Sequence, residues 1–132
     1  MDVATRRLVR QRAGQRCEYG RLPQSTAPFL TFHIEHIRAQ QHVQDNSPEN
    51  LALTCPHCNF HKGPNLAGID PESGEVTTLF HPRLQIWTDH FELVGEQVRG
   101  RTPTGRATVS LLNMNTDEQV QIRGELIERG EF

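Results

Sequence analysis

Aromatic residues are scarce in this chain: six Phe, one Tyr and one Trp make up 6% of it, beside only two methionines. That leaves a modest core for 132 residues, so part of the stability is expected from a bound metal or a partner. No apolar run approaches the roughly 20 residues of a bilayer span and no signal peptide precedes the first helix, so a soluble, cytoplasmic protein without membrane contact is expected. The three cysteines are an odd number. Two of them form the tight Cys55-x-x-Cys58, which suits metal in a reducing compartment better than a disulfide framework. Internal repeats and low-complexity tracts are lacking too. A net charge of −2 excludes a chain that is basic throughout.

Basic charge is concentrated at the start. Arg6, Arg7, Arg10, Arg12, Arg16 and Arg21 stand against only Asp2 and Glu18 in the first 21 residues. Arg6, Arg7, Arg10 and Arg12 are therefore candidate phosphate contacts to DNA, the alternative being a solvated helix face. This segment reads as a helix over 2–13, ending near Gly14. Leu30, Phe32 and Ile34 alternate with Thr31, His33 and Glu35, which predicts a half-buried strand with the first three inward. A polar loop over 40–49 leads to a short strand at Leu51-Ala52-Leu53. Pro56 opens a brief helix that Gly63-Pro64 stops after Lys62. Further on come a turn over 70–74, a strand over Val76–Phe80, a helix over 83–90, two extended pieces parted by Gly95 and a helix from Thr102-Pro103 to about Leu112. The capping box Thr116-Asp117-Glu118-Gln119 opens a last helix with Val120 and Ile127 inward. The class is α+β, and 1–132 reads as a single domain.

The chemistry is concentrated between residues 35 and 63. His36 offers an imidazole that can take a proton from water, and a carboxylate precedes it. Glu35 and Asn59 supply one anionic and one neutral oxygen, a donor pair for Mg²⁺ or Mn²⁺ with water and phosphate completing the shell. Adjacent strand residues point to opposite faces, so a shared site requires the pleat to end or distort at Glu35-His36. Asn50 can bridge the polar loop to the strand carrying His36 and so fix its orientation. Lys62 is a candidate phosphate contact or a helix C-terminal cation. His57 and His61, spaced i,i+4, offer an alternative transition-metal pair.

The order Glu35-His36, Asn50, Cys58-Asn59 and Lys62-Gly63 resembles the HNH endonuclease family. The similarity runs from Arg16-Cys17-Glu18-Tyr19 through Leu79-Phe80-His81-Pro82-Arg83, Trp87 and His90-Phe91 to Gly105-Arg106-Ala107-Thr108-Val109. It implies a ββα-metal (His-Me finger) core over about 29–63, with flanking helices. It implies a metal-dependent endonuclease hydrolysing DNA phosphodiesters, with His36 as general base and Asn50 orienting it. Glu35 and Asn59 would bind one divalent ion, and the products would carry 5′-phosphate and 3′-hydroxyl.

One departure stands out. Related chains carry two Cys-x-x-Cys pairs around a structural zinc, whereas here the first pair reads Cys17-x-x-Gly20. Cys17, Cys55 and Cys58 make an incomplete Zn²⁺ site, because a closed tetrahedral site takes four ligands. The resemblance places the two turns face to face, a degenerate zinc knuckle. Two rivals follow: a non-catalytic zinc-knuckle-like module that only binds nucleic acid, and a cysteine hydrolase using Cys55 or Cys58 with His57 or His36.

Overall fold

Asp2 starts the first helix by accepting the Thr5 amide at 2.7 Å. In the computed structural model, which describes all 132 residues, helix α1 spans Val3–Arg12 and buries Val9. The chain divides into two compact units, Met1–Asn65 and Leu66–Phe132, where the sequence reads as one domain.

The first unit is a ββα arrangement behind α1. Strands β1 (His33–His36) and β2 (Leu51–Thr54) pair antiparallel, with Glu35 opposite Ala52 and His36 opposite Leu51. Helix α2 covers Pro56–Lys62. Pro56 presets its first turn, the Cys55 sulfur accepts the Cys58 amide, and Gly63 at φ +51° ends it. Arg10 and Arg12 fasten α1 to the hairpin through backbone carbonyls: Arg10 to Phe32 at 3.2 Å, Arg12 to Pro48 at 2.7 Å and Leu51 at 2.6 Å. Val9, Tyr19, Phe32, Leu51 and Leu53 fill the interior.

The inward face before β1 differs from the alternation expected of it. Phe32 is buried, but Leu30 is 56% exposed and Glu35, not Ile34, is the buried residue of the strand. The cause is Gln24, whose side chain takes the Phe32 amide and donates to the Leu30 carbonyl. Those residues form a loop, and the ladder begins only at His33.

The second unit contains two hairpins, three helices and a small aromatic cluster. β3 (Ala67–Ile69) pairs with β4 (Val76–Thr78). The short α3 (Trp87–His90) leads into β5 (Phe91–Val94), which returns as β6 (Gln97–Gly100) around Gly95. Thr102 caps α4 (Pro103–Leu111), and Thr116 caps α5 (Asp117–Glu128). Phe80 and Trp87 pack on Phe91, at ring-centroid distances of 5.2 and 5.0 Å.

Three expectations fail here for local reasons. The strand from Val76 stops at Thr78, because the Phe80 amide turns to Thr108 Oγ1 at 2.9 Å. The helix expected over 83–90 is confined to 87–90. Side chains hold a turn in its place, with His81 Nδ1 taking the Arg83 amide and Gln85 Oε1 the His81 amide. On α5 the buried positions are Gln119, Arg123, Gly124 and Leu126, while Ile127 is 37% exposed and Val120 half-buried. Arg123 turns inward because its guanidinium finds the carbonyls of Glu96 and Met114, at 2.7 and 2.8 Å.

Close backbone approach fixes α4. A Cβ on Gly105 would collide with the His90 carbonyl, and one on Gly100 with the Arg106 amide. Gly105→Ala is therefore expected to destabilise the second unit by more than about 2 kcal/mol, since only backbone movement can relieve the clash. Urea unfolding checks it, and an unchanged midpoint would contradict the close approach.

Candidate active site

Strand β1 stops at His36: the Ile37 amide still bonds the Asn50 carbonyl in register at 2.7 Å, but the return bond is lost, the Asn50 amide turning to the Ser47 carbonyl and the Ile37 carbonyl to Lys62 Nζ. Because the pleat ends there, Glu35 and His36 both line one cleft of about 320 Å³, with Asn59, Gly63 and Pro64 on the α2 side. The structure thus brings three of the sequence candidates together: Glu35, His36 and Asn59.

Glu35 is 9% exposed, and its Oε1 has no hydrogen-bond partner. Lys62 Nζ lies 3.8 Å from that oxygen. Burial pushes the carboxyl up to about 7, with Lys62 and the Tyr19 hydroxyl pulling the other way. A buried carboxylate oxygen without a partner, in a cleft shared with an asparagine amide, fits a hard divalent cation.

His36 is half-buried, and its Nε2 lies 2.9 Å from Asn46 Oδ1. Gln40 Nε2 is 3.2 Å from the same oxygen. Asn50 does not meet the ring. Its amide donates to the carbonyls of Arg38 and Asp45 at 3.1 and 2.9 Å, and its Oδ1 accepts the Arg38 amide at 2.9 Å. It bridges loop to strand end as expected, but any hold on His36 passes through the loop that carries Asn46.

Lys62 is corrected. It was a candidate DNA contact, yet it is 2% exposed and donates to the Ile37 carbonyl at 3.0 Å. One turn of α2 carries it into the hairpin, where it faces Glu35. Arg10 and Arg12, the other candidate phosphate contacts on α1, bond backbone carbonyls of the hairpin, Arg10 half-buried and Arg12 exposed. Arg6 and Arg7 are exposed on α1.

Cys17, Cys55 and Cys58 are buried, and their sulfurs lie within 4.8 Å of one another. The Gly20 amide points at Cys17 Sγ and the Cys58 amide at Cys55 Sγ, both at 3.4 Å. Hydrogen bonds from Cys17 and Cys58 draw the Cys55 thiol down to about 3, while burial pushes Cys17 up to about 12. Three thiol donors this close fit Zn²⁺, which would favour their ionised forms. Gly20 stands at the fourth corner, 3.3 Å from Cys58 Sγ at its Cβ position. His57 and His61 face each other at 4.4 Å between ring centroids.

Tyr19, Gln40 and Asn46 escaped the sequence reading. Tyr19 lies two residues after Cys17, and nothing in the sequence shows that it acts on Glu35. Gln40 and Asn46 sit in a polar loop without periodicity, where only the folded backbone brings them to His36.

Residues 15–65 match the model of the HNH endonuclease family. The matched segment spans both cysteine turns, β1, β2 and α2. No curated protein and no solved structure matches the chain. No helix is long and apolar enough to cross a membrane.

Two measurements follow. Glu35 has a folded-state pKa of about 7 against an ordinary 4.5, so between those values the folded state binds more protons than the unfolded state. Stability of metal-free protein should therefore be highest below the lower value and decline as pH rises through the upper one, by about 2–3 kcal/mol. Thermal melts in chelator across that window should show this slope in wild type and lose it in Glu35→Gln. Equal slopes would contradict the buried, strained carboxylate.

Gly20 does not adopt positive φ, so Gly20→Cys is compatible with the backbone. It should raise both zinc retention on dialysis and melting temperature, by completing four thiolates. Equal and full zinc occupancy in both forms, with no thermal gain, would mean that another group already fills the corner.

Proposed function

We propose that this chain, an HNH protein through residues 15–65, is a metal-dependent endonuclease that hydrolyses DNA phosphodiester bonds at the Glu35–His36–Asn59 cleft. The observation that supports this most is the meeting of a base, an unpartnered buried carboxylate oxygen and an asparagine in one cleft, inside the matched segment. His36 takes a proton from a water as that water attacks phosphorus in line. The bond from phosphorus to the 3′ oxygen breaks, and that oxygen takes a proton from solvent, leaving a 5′-phosphate and a 3′-hydroxyl. Glu35 and Asn59 would hold Mg²⁺ or Mn²⁺, which when bound would supply Lewis-acid neutralisation of charge on the phosphoryl group.

The remaining residues support those three. Lys62 and Tyr19 keep the Glu35 carboxyl in place within the wall of the cleft. Arg6 and Arg7, exposed on a helix without acidic residues in its first turn, supply phosphate contacts. In this reading the nuclease is the first compact unit, and residues 66–132 follow as a second.

Supercoiled plasmid incubated with Mg²⁺ or Mn²⁺ tests the reading. Wild type should nick or linearise it, chelator should stop the reaction, and His36→Ala should lower the rate by about 10²–10⁴-fold with DNA affinity retained. Full activity in chelator, or His36→Ala within a few-fold of wild type, would sink the proposal. DNA binding without cleavage under any divalent ion would instead favour a purely binding module.

A further inference from the structure

We propose that His57 and His61 form a second metal site, for a borderline divalent transition ion such as Zn²⁺ or Ni²⁺, on the flank of α2 that faces away from the cleft. Both side chains lie on α2, four residues apart and half-buried, so each reaches solvent. One helical turn brings residues at that spacing onto one face. Their ring centroids are 4.4 Å apart, and the planes are inclined at 52° rather than stacked face to face. An ion about 2.0–2.1 Å from two imidazole nitrogens holds the ring centroids roughly 4.5–5 Å apart. A small side-chain rotation therefore brings the pair to the separation that an ion requires.

This flank is separate from the site proposed at Glu35 and Asn59. At 3.6 residues per turn, Asn59 lies about 200° around the helix from His57. Cys58 and Lys62, both buried, occupy the arc between them. Phe60, 81% exposed, occupies the other arc and meets the His61 ring edge to face at 5.3 Å. The donor chemistry differs too. Two imidazoles suit Zn²⁺, Ni²⁺ or Cu²⁺, whereas Mg²⁺ and Mn²⁺ take oxygen ligands. No third histidine, cysteine or carboxylate joins the pair. Water fills the remaining positions, so the ion exchanges with the medium and is not locked in a closed structural site. Helix α2 has only seven residues and depends on outside contacts to keep its form. An ion across His57 and His61 clamps one turn of the helix that presents Asn59 to the cleft and Cys58 to the thiol cluster.

The experiment is a calorimetric titration of full-length protein with Ni²⁺, at about pH 8 where imidazole is neutral, in excess Mg²⁺ and a phosphine reductant. Magnesium fills hard oxygen sites, and any Ni²⁺ taken by other donors is common to wild type and variants. Wild type should bind one equivalent more than the double variant His57→Gln with His61→Gln. Chelation couples the two rings, so either single variant should weaken that equivalent about tenfold or more, nearly as much as the double variant does. Ni²⁺ should raise the melting temperature of wild type by more than that of any of the three variants. In spectra of the histidine rings, paramagnetic Ni²⁺ should broaden the His57 and His61 signals ahead of those of His33, His42, His81 and His90. Alanine replacements at the same two positions provide a second set, and metal-free melting temperatures identify the set that folds as wild type does.

Equal Ni²⁺ binding in wild type and the double variant would overturn the inference. So would single variants that each keep half of the extra nickel at unchanged affinity, since that is the behaviour of two imidazoles binding alone. Broadening of His36 or any other ring ahead of His57 and His61 would place the ion elsewhere and overturn it as well. The outcome is independent of whether the cleft cleaves DNA.

Discussion

The side chain of Asn50 makes three hydrogen bonds to backbone, two with Arg38 and one with Asp45, at a site only 3% exposed. Each of those backbone groups would otherwise be left without a partner, at a cost of about 1–3 kcal/mol apiece. An asparagine can serve both a donor and an acceptor at once, which no apolar or purely anionic side chain can do. Its own carbonyl still accepts the Ile37 amide in register, while its backbone amide turns away to the Ser47 carbonyl, so the β1–β2 ladder ends there. That ending lets neighbouring residues, which a continuing pleat would send to opposite faces, line one cleft. The polar loop beyond Arg38 takes its course from the same three bonds.

The first unit gathers negative charge in two places where it supplies little positive charge. Glu35 is buried beside a single lysine, 3.8 Å away, which also serves the Ile37 carbonyl. Burial there holds the carboxyl near neutrality, so metal-free protein at neutral pH keeps a costly group that a divalent ion would stabilise. The three thiols behind the hairpin meet one another and backbone amides, with no cationic side chain among the groups bonded to their sulfurs.

The second unit reaches its stability by polar means as well. Asp70 accepts both Arg106 Nε and Nη2 at 2.9 Å, and also the Glu72 amide and the Ser73 hydroxyl, which holds its carboxyl well below the usual range. That carboxylate ties the β3–β4 turn to α4. Arg123 does the same for α5, the β5–β6 turn and the Met114 carbonyl. Two buried side chains with fixed, forked or multiple hydrogen-bonding atoms specify geometry here that a handful of Leu and Phe side chains would leave looser.

Much of this was legible in the residues alone. Caps and stops are short-range chemistry, so Pro56 and Gly63 around α2, Thr102-Pro103 before α4 and Thr116 before α5 all mark real boundaries. The spacing of Glu35-His36, Asn50, Asn59 and the cysteines marked the HNH segment, because a metal and a base demand particular atoms at particular separations. Tertiary structure alone decided which polar groups were buried. Lys62, Arg10 and Arg12 read as candidate phosphate contacts, since long charged side chains usually face solvent. Lys62 is buried, as is Arg123, and Arg10 and Arg12 lie back on the hairpin, because backbone carbonyls placed by distant parts of the chain accept from them. The contacts of Asn46 and Tyr19 are of the same kind. A side chain's identity states what it can bond to, and only the fold states which partner comes within 3 Å or so of it.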